Sequence, residues 1–251
     1  MGRPLRGRPA ARGAASPPVA RGAADPPETD NPNYRIMKKT LLTLAAVSAA
    51  SILAAADKAP IELDYPAPFL SGTPVPIVLP NLESPDAPQP TVLAPAGVSN
   101  IAFGKEVTSS DDFPIIGELE LVTDGDKESE EGYFVELAQG PQWVQIDLES
   151  TATIYGLGLW HFHTQKRAYV DVVVQLSDDE SFESGVTTVF NNDHDNSLGF
   201  GAGRDMAYVE TNKGKLIGAK ETKARYVRLY SDGNTSNEMN HYVEVEVFGE
   251  Y

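Results

Sequence analysis

The residues best able to do chemistry fall in two short segments. Trp160-His-Phe-His163 places two histidines two positions apart, and Asn191-Asn-Asp-His-Asp-Asn-Ser197 crowds amides, carboxylates and another histidine together. On a strand His161 and His163 would share a face. His-x-His is a spacing that can hold a transition metal, with His194, Asp193 or Asp195 as a third ligand. Such a set would serve a metal-dependent hydrolase. Sugar recognition suits the same segments better, because a sugar needs planar polar groups for its hydroxyls and an aromatic or apolar platform for its C–H faces. Trp160, Phe162, His163, Arg167, Asn192, His194 and Asp195 supply both kinds if the two loops meet at one end of the fold. A plainer role competes with both: these are ordinary polar loop residues, or hydrogen-bonded core histidines.

Other patterns exclude more than they suggest. Asp193-x-Asp195-x-Ser197 starts like an EF-hand loop, but Leu198 stands where glycine is needed and Arg204 where glutamate is needed. Asp124-x-Asp126-x-Glu128 fails in the same way, with Ser129 and Val135 at those positions. Gly199-Phe-Gly-Ala-Gly203 precedes no helix and reads as a flexible loop rather than a nucleotide cradle. No G-x-S-x-G elbow is present. Carboxylate pairs for glycoside cleavage arise by chance in so acidic a chain and have no supporting motif. With no cysteine at all, thiol catalysis, disulfides and a lipidated cysteine anchor are all excluded.

The elements that must position these groups follow from a change of texture along the chain. Residues 1–36 are rich in Arg, Pro, Ala and Gly and cannot build a core. They are expected to be disordered, an extension of the gene model ahead of a true start at Met37. Met37-Lys-Lys-Thr-Leu-Leu and the apolar run ending at Ala54-Ala-Ala56 have the form of a secretory signal peptide, cleaved after Ala56. That predicts a secreted or periplasmic protein with no membrane insertion after cleavage. Residues 1–56 carry a net charge of +5 and residues 57–251 a net charge of −21. So acidic an exported part argues against nucleic acid and anionic lipid as partners. Residues 57–97 contain ten prolines and read as an extended linker, or an arm lying on the domain. From residue 98, short β-type runs alternate with Gly/Asn/Asp/Ser turns, the pattern of an all-β sandwich. Strands are expected near 116–122, 132–137, 142–148, 153–161, 168–177, 185–190, 207–210, 224–230 and 241–248. Val170, Val172, Val174 and Leu176 share one face, as do Val243, Val245 and Val247.

A series of motifs in shared order adds a resemblance. These are Asn100-Ile-Ala-Phe-Gly-Lys-Glu-Val-Thr-Ser-Ser110, Val122-Thr-Asp-Gly125, Trp143-Val-Gln-Ile-Asp-Leu148, Val172-Val-Val-Gln-Leu-Ser-Asp-Asp179, Ala224-Arg-Tyr-Val-Arg-Leu229 and Glu244-Val-Glu-Val-Phe-Gly249. Together they resemble the discoidin family (coagulation factor 5/8 type C, galactose-binding-like domains) over residues 98–251. The resemblance implies a discoidin-type jelly-roll β-sandwich carrying the Pro-rich arm. It implies a non-catalytic, monomeric module that binds carbohydrate or another polar cell-surface ligand. It also implies a structural Ca²⁺ at Thr123, Asp124, Asp126 and Glu244, with backbone carbonyls near Val122 and Thr123. Two readings stand beside it: the hydrolase built on His161 and His163, and an adhesive or structural envelope protein. The segments 160–163 and 191–197 depart from the family pattern.

Overall fold

The computed structural model describes residues 58–251 apart from Pro74 and Pro85. The expected signal peptide at 37–56 and the segment before it lie outside these residues. Eleven strands and one short 3₁₀ turn are described: β1 (Lys58–Pro60), β2 (Leu93–Pro95), β3 (Ser99–Asn100), β4 (Val107–Ser109), η1 (Leu119–Thr123), β5 (Val135–Leu137), β6 (Pro141–Trp160), β7 (Val173–Ser177), β8 (Thr187–Asn191), β9 (Lys215–Asp232), β10 (Asn240–Tyr242) and β11 (Glu244–Glu250). Seven strands form one antiparallel sheet, β3-β11-β6-β9-β7-β8, with β4 added on β6. Among the described residues no helix is long and apolar enough to cross a membrane.

The all-β expectation holds, and two long strands explain how the sandwich closes. The first half of β6 pairs with β4 and the second half with β11, while β9 runs beside both halves. The register shifts between Asp147 and Ala152, where Glu149 takes a φ of 70°. Each long strand thus contributes to two layers around one core. Val144, Ile146 and Leu148 point inward from the first half of β6, Leu157 and Leu159 from the second, and Val245 and Val247 from β11.

Four expected strands need correction. Residues 116–122 are not a strand: Gly117, at a φ of 75°, turns the chain, Ile116 makes one isolated bridge, and η1 follows. Residues 207–210 hold only an isolated bridge, from Ala207 to Leu82. The runs 142–148 and 153–161 belong to the single strand β6.

Residues 61–92, apart from Pro74 and Pro85, form a strap. Its ends are closed by β1 pairing with β2, and its body is tied across the domain. The Ser71 amide donates to the Thr164 carbonyl at 2.7 Å, and the Asn81 side chain to the Asn192 carbonyl at 2.8 Å. Gln89 clamps both the Gly214 carbonyl and the Leu216 amide. Glycines on β6 let the strap approach this closely: a Cβ at Gly156 would meet Ile61 at 3.0 Å and Val92 at 3.1 Å, and one at Gly158 would meet Leu63 at 2.9 Å.

Candidate functional site

The strap decides what becomes of the first chemical segment. Trp160 has 0% of its surface exposed; its indole N–H donates to the Asn212 carbonyl at 3.0 Å, and Leu63 packs against it. The Lys127 ammonium sits 5.2 Å from the ring centroid. No face is left for a sugar. His163 is buried, with its Nε2 2.9 Å from the Lys127 carbonyl. Arg167 is buried over the Phe162 ring at 4.4 Å and donates to Gln165. The expected ligand face at Trp160, His163 and Arg167 is therefore corrected: the strap and neighbouring loops bury all three.

The hydrolase set does not assemble either. β6 ends at Trp160, so His161 and His163 do not share a strand face. His161 Nδ1 pairs with the buried Glu210 carboxyl at 2.7 Å, and its ring stacks on Tyr169 at 4.3 Å. Among the described residues the one group of three ligating side chains within 4.8 Å is Asp171, Asp193 and Asp195, which includes neither histidine. The other two histidines are separate. His194 is exposed, and His241 bridges the Tyr169 hydroxyl (2.8 Å) and the Glu136 carboxylate (2.9 Å) in the interior. Burial, with repulsion from Arg167 and His161, depresses His241 to about 3.

In the 191–197 segment, Asn192 is buried and structural: its side-chain oxygen accepts the Val172 amide at 2.7 Å. His194 and Asp195 are exposed. Among the described residues no hydrogen bond joins 160–167 to 191–197, so the two proposed halves of a sugar site are not brought together that way. Asp193 is buried and accepts the amides of Ser197 and Leu198, each at 3.0 Å. Asp171 accepts the Ser197 hydroxyl at 2.7 Å. Burial raises the Asp171 carboxyl; the Ser197 bond offsets part of this, and Asp193, Asp195 and Asp232 add to it. These oxygens brace their own loop.

The 122–126 turn meets β11. Glu244 is 0% exposed, and one carboxyl oxygen accepts the Gly125 amide at 3.1 Å. The other oxygen, Oε1, has no partner. Burial pushes Glu244 up to about 9; nearby Glu246 and Asp124 add to the rise, while the Gly125 bond and Lys127 oppose it. Asp124 accepts the Asp126 amide at 2.8 Å, and Asp126 accepts the Glu128 amide at 2.9 Å. The Thr123 carbonyl accepts the Gly104 amide at 2.8 Å. Asp124, Asp126 and Glu244 do not converge within 4.8 Å as a trio, so a cation here would draw on carbonyl oxygens as well. The donors are all hard oxygens, and a buried carboxyl with an unpartnered oxygen fits a Ca²⁺-type ion.

The outer face of the sheet was not singled out from the sequence. Register aligns Thr108 (β4), Gln145 (β6), Arg228 (β9), Gln175 (β7) and Thr188 (β8) in one cross-strand row. The row spans about 19 Å at the usual strand spacing. Trp143 and Tyr230 pair in the row on one side, Asp147 and Tyr226 in the row on the other. Arg228 lies between two rings, 4.4 Å from Trp143 and 4.2 Å from Phe182, and donates to Gln145 Oε1 at 2.6 Å. A surface hollow of about 440 Å³ opens over Gln145 and Arg228, walled by Thr108 and the 179–181 turn and ended by Trp143. A smaller one of about 70 Å³ continues it toward Asp147 and Tyr226.

No protein-family model matches this chain, and no curated protein matches it. Solved structures similar to it include the CBM32 of AlyQ in complex with 4,5-unsaturated mannuronic acid (22% identity, 58% of this chain and 96% of that one, TM-score 0.42). A chitosan-binding module from a chitosanase/glucanase of Paenibacillus sp. IK-5 is 23% identical over 60% of this chain and 98% of that one, with a TM-score of 0.41. A fucose binding module of Streptococcus pneumoniae is 20% identical over 62% of this chain and 98% of that one, with a TM-score of 0.44.

Proposed function

We propose that this protein is an exported, non-catalytic binding module of discoidin type for carbohydrate, stabilised by structural calcium. The observation that carries the reading is the outer face of the sandwich, where exposed Thr108 and half-buried Trp143 and Arg228 border a surface hollow over Gln145, while Gln175, Tyr226 and Tyr230 in the same and adjoining rows are buried. A planar amide, a guanidinium and hydroxyls beside an indole ring match the two kinds of surface a sugar presents. The His161/His163 constellation that an enzyme would need does not assemble, which favours binding over turnover. Calcium would be held by Glu244 and Asp124, with Asp126 and the Thr123 carbonyl completing the set. Bound there it would neutralise the buried Glu244 charge and fix the turn against β11.

The test is a glycan array probed with the purified protein in calcium, followed by calorimetry on the hits. Saturable, glycan-selective binding without release of product is expected. Absence of binding across neutral, acidic and amino sugars, or cleavage of any of them, would overturn the reading.

A further inference from the structure

We propose that the trough over Gln145 and Arg228 is the saccharide site and that it takes neutral oligosaccharides rather than uronates. This rests on the carbohydrate-binding reading above. The strongest reason is Gln145. It is 6% exposed, its Oε1 is taken by Arg228, and its Nε2 makes no hydrogen bond within the protein although the residue lines both hollows. An almost buried amide donor facing a groove is supplied with a partner from outside, by water or by a ligand hydroxyl.

The rest of the trough is preorganised. Arg228 is held by both flanking rings and by bonds to Gln145 and the Glu180 carbonyl (2.9 Å), so little freedom is lost on binding. Half-buried Trp143 closes one end with an apolar surface suited to sugar C–H groups. Thr108 and Glu180 are exposed on opposite walls and offer a hydroxyl and a carboxylate to ligand hydroxyls.

Charge sets the class. Glu106, Asp147, Asp179 and Glu180 line the two hollows, and Asp147 already holds Arg225 through two bonds of 2.7 Å. Arg228 is the one cation in the lining. With a net charge of −16 on the whole chain, a polyuronate is repelled, while a neutral chain keeps every hydrogen bond.

Calorimetry with mannohexaose, xylohexaose, cellohexaose and an alginate hexasaccharide tests this on wild type, Trp143→Ala and Thr108→Lys. Thr108 is exposed, so the lysine blocks the trough without entering the core. A neutral hexasaccharide is expected to bind wild type and to bind both variants at least tenfold more weakly. Equal binding to wild type and both variants overturns the location while leaving the general function standing. Preference for the alginate chain overturns the ligand class. Binding of none of the four, with a hit elsewhere on the glycan array, also overturns this proposal; no hit anywhere removes the function itself.

Discussion

Replacing Glu244 with glutamine should abolish a pH dependence of stability that the buried carboxyl imposes. In the fold this group titrates near 9 and in the unfolded chain near 4.5, so between those values the folded state holds the extra proton. Stability without cation therefore falls as pH rises. His241 acts in the opposite direction: depressed from 6.5 to about 3, it makes the unfolded state hold more protons in that lower interval, so its contribution rises with pH up to about 6.5. Above that pH Glu244 acts without this opposition. From about pH 6.5 to 8.5 the slope approaches ~1.4 kcal/mol per pH unit, a loss of about 2–3 kcal/mol. That corresponds to a fall of about 4–12 °C in melting temperature for a domain of this size. The assay is urea unfolding in chelator across that interval, repeated in calcium. Wild type should lose stability in chelator and recover it in calcium, which replaces the proton as the neutralising charge. Glu244→Gln should be flat in chelator, because its amide oxygen can still accept the Gly125 amide without a charge to bury, and should gain nothing from calcium. Equal slopes for the two proteins in chelator would refute the reasoning.

Three further outcomes are expected. Tyr169→Phe leaves His241 Nδ1 without its 2.8 Å partner and should cost about 1–3 kcal/mol in urea unfolding, with the fold retained by circular dichroism. Gly214→Ala forces a side chain onto a φ of 63° with its Cβ 2.5 Å from the Trp160 ring, so it should destabilise by more than ~1 kcal/mol and shift Trp160 emission to the red. Zinc added to chelator-treated protein should leave the melting temperature unchanged, since among the described residues no third ligand joins His161 and His163; a rise lost in His161→Ala would restore the hydrolase reading.

The inward faces were legible because alternation encodes them directly. Val144, Ile146 and Leu148, or Val245 and Val247, need no knowledge of their partners to be placed in a core. The continuity of β6 was not legible, because Glu149-Ser-Thr151 reads as a turn and is instead a register shift inside one strand. The turn at 122–126 and its approach to Glu244 were visible through the family motifs. The outer row was not: Thr108, Gln145, Arg228, Gln175 and Thr188 are unremarkable polar residues until register aligns them across five strands.

The two tryptophans of β6 show where sequence chemistry stops. Trp143 lies near its start and Trp160 ends it, and Trp160, beside two histidines, looked the better sugar platform. What separates them is a segment more than sixty residues upstream. Prolines in 57–97 remove backbone donors and so erase the periodic signature of a strand, but they do not remove the capacity to pack. Ile61, Leu63 and Val92 sit between them as isolated apolar residues with no helical or strand period, yet each meets a glycine of β6 at close range. Burial of Trp160 is thus fixed by the missing side chains of Gly156 and Gly158, which open the sheet to the strap. At the other end of β6 the outward positions carry Trp143 and Gln145 instead of glycine, and there the sheet borders the surface hollow rather than the strap.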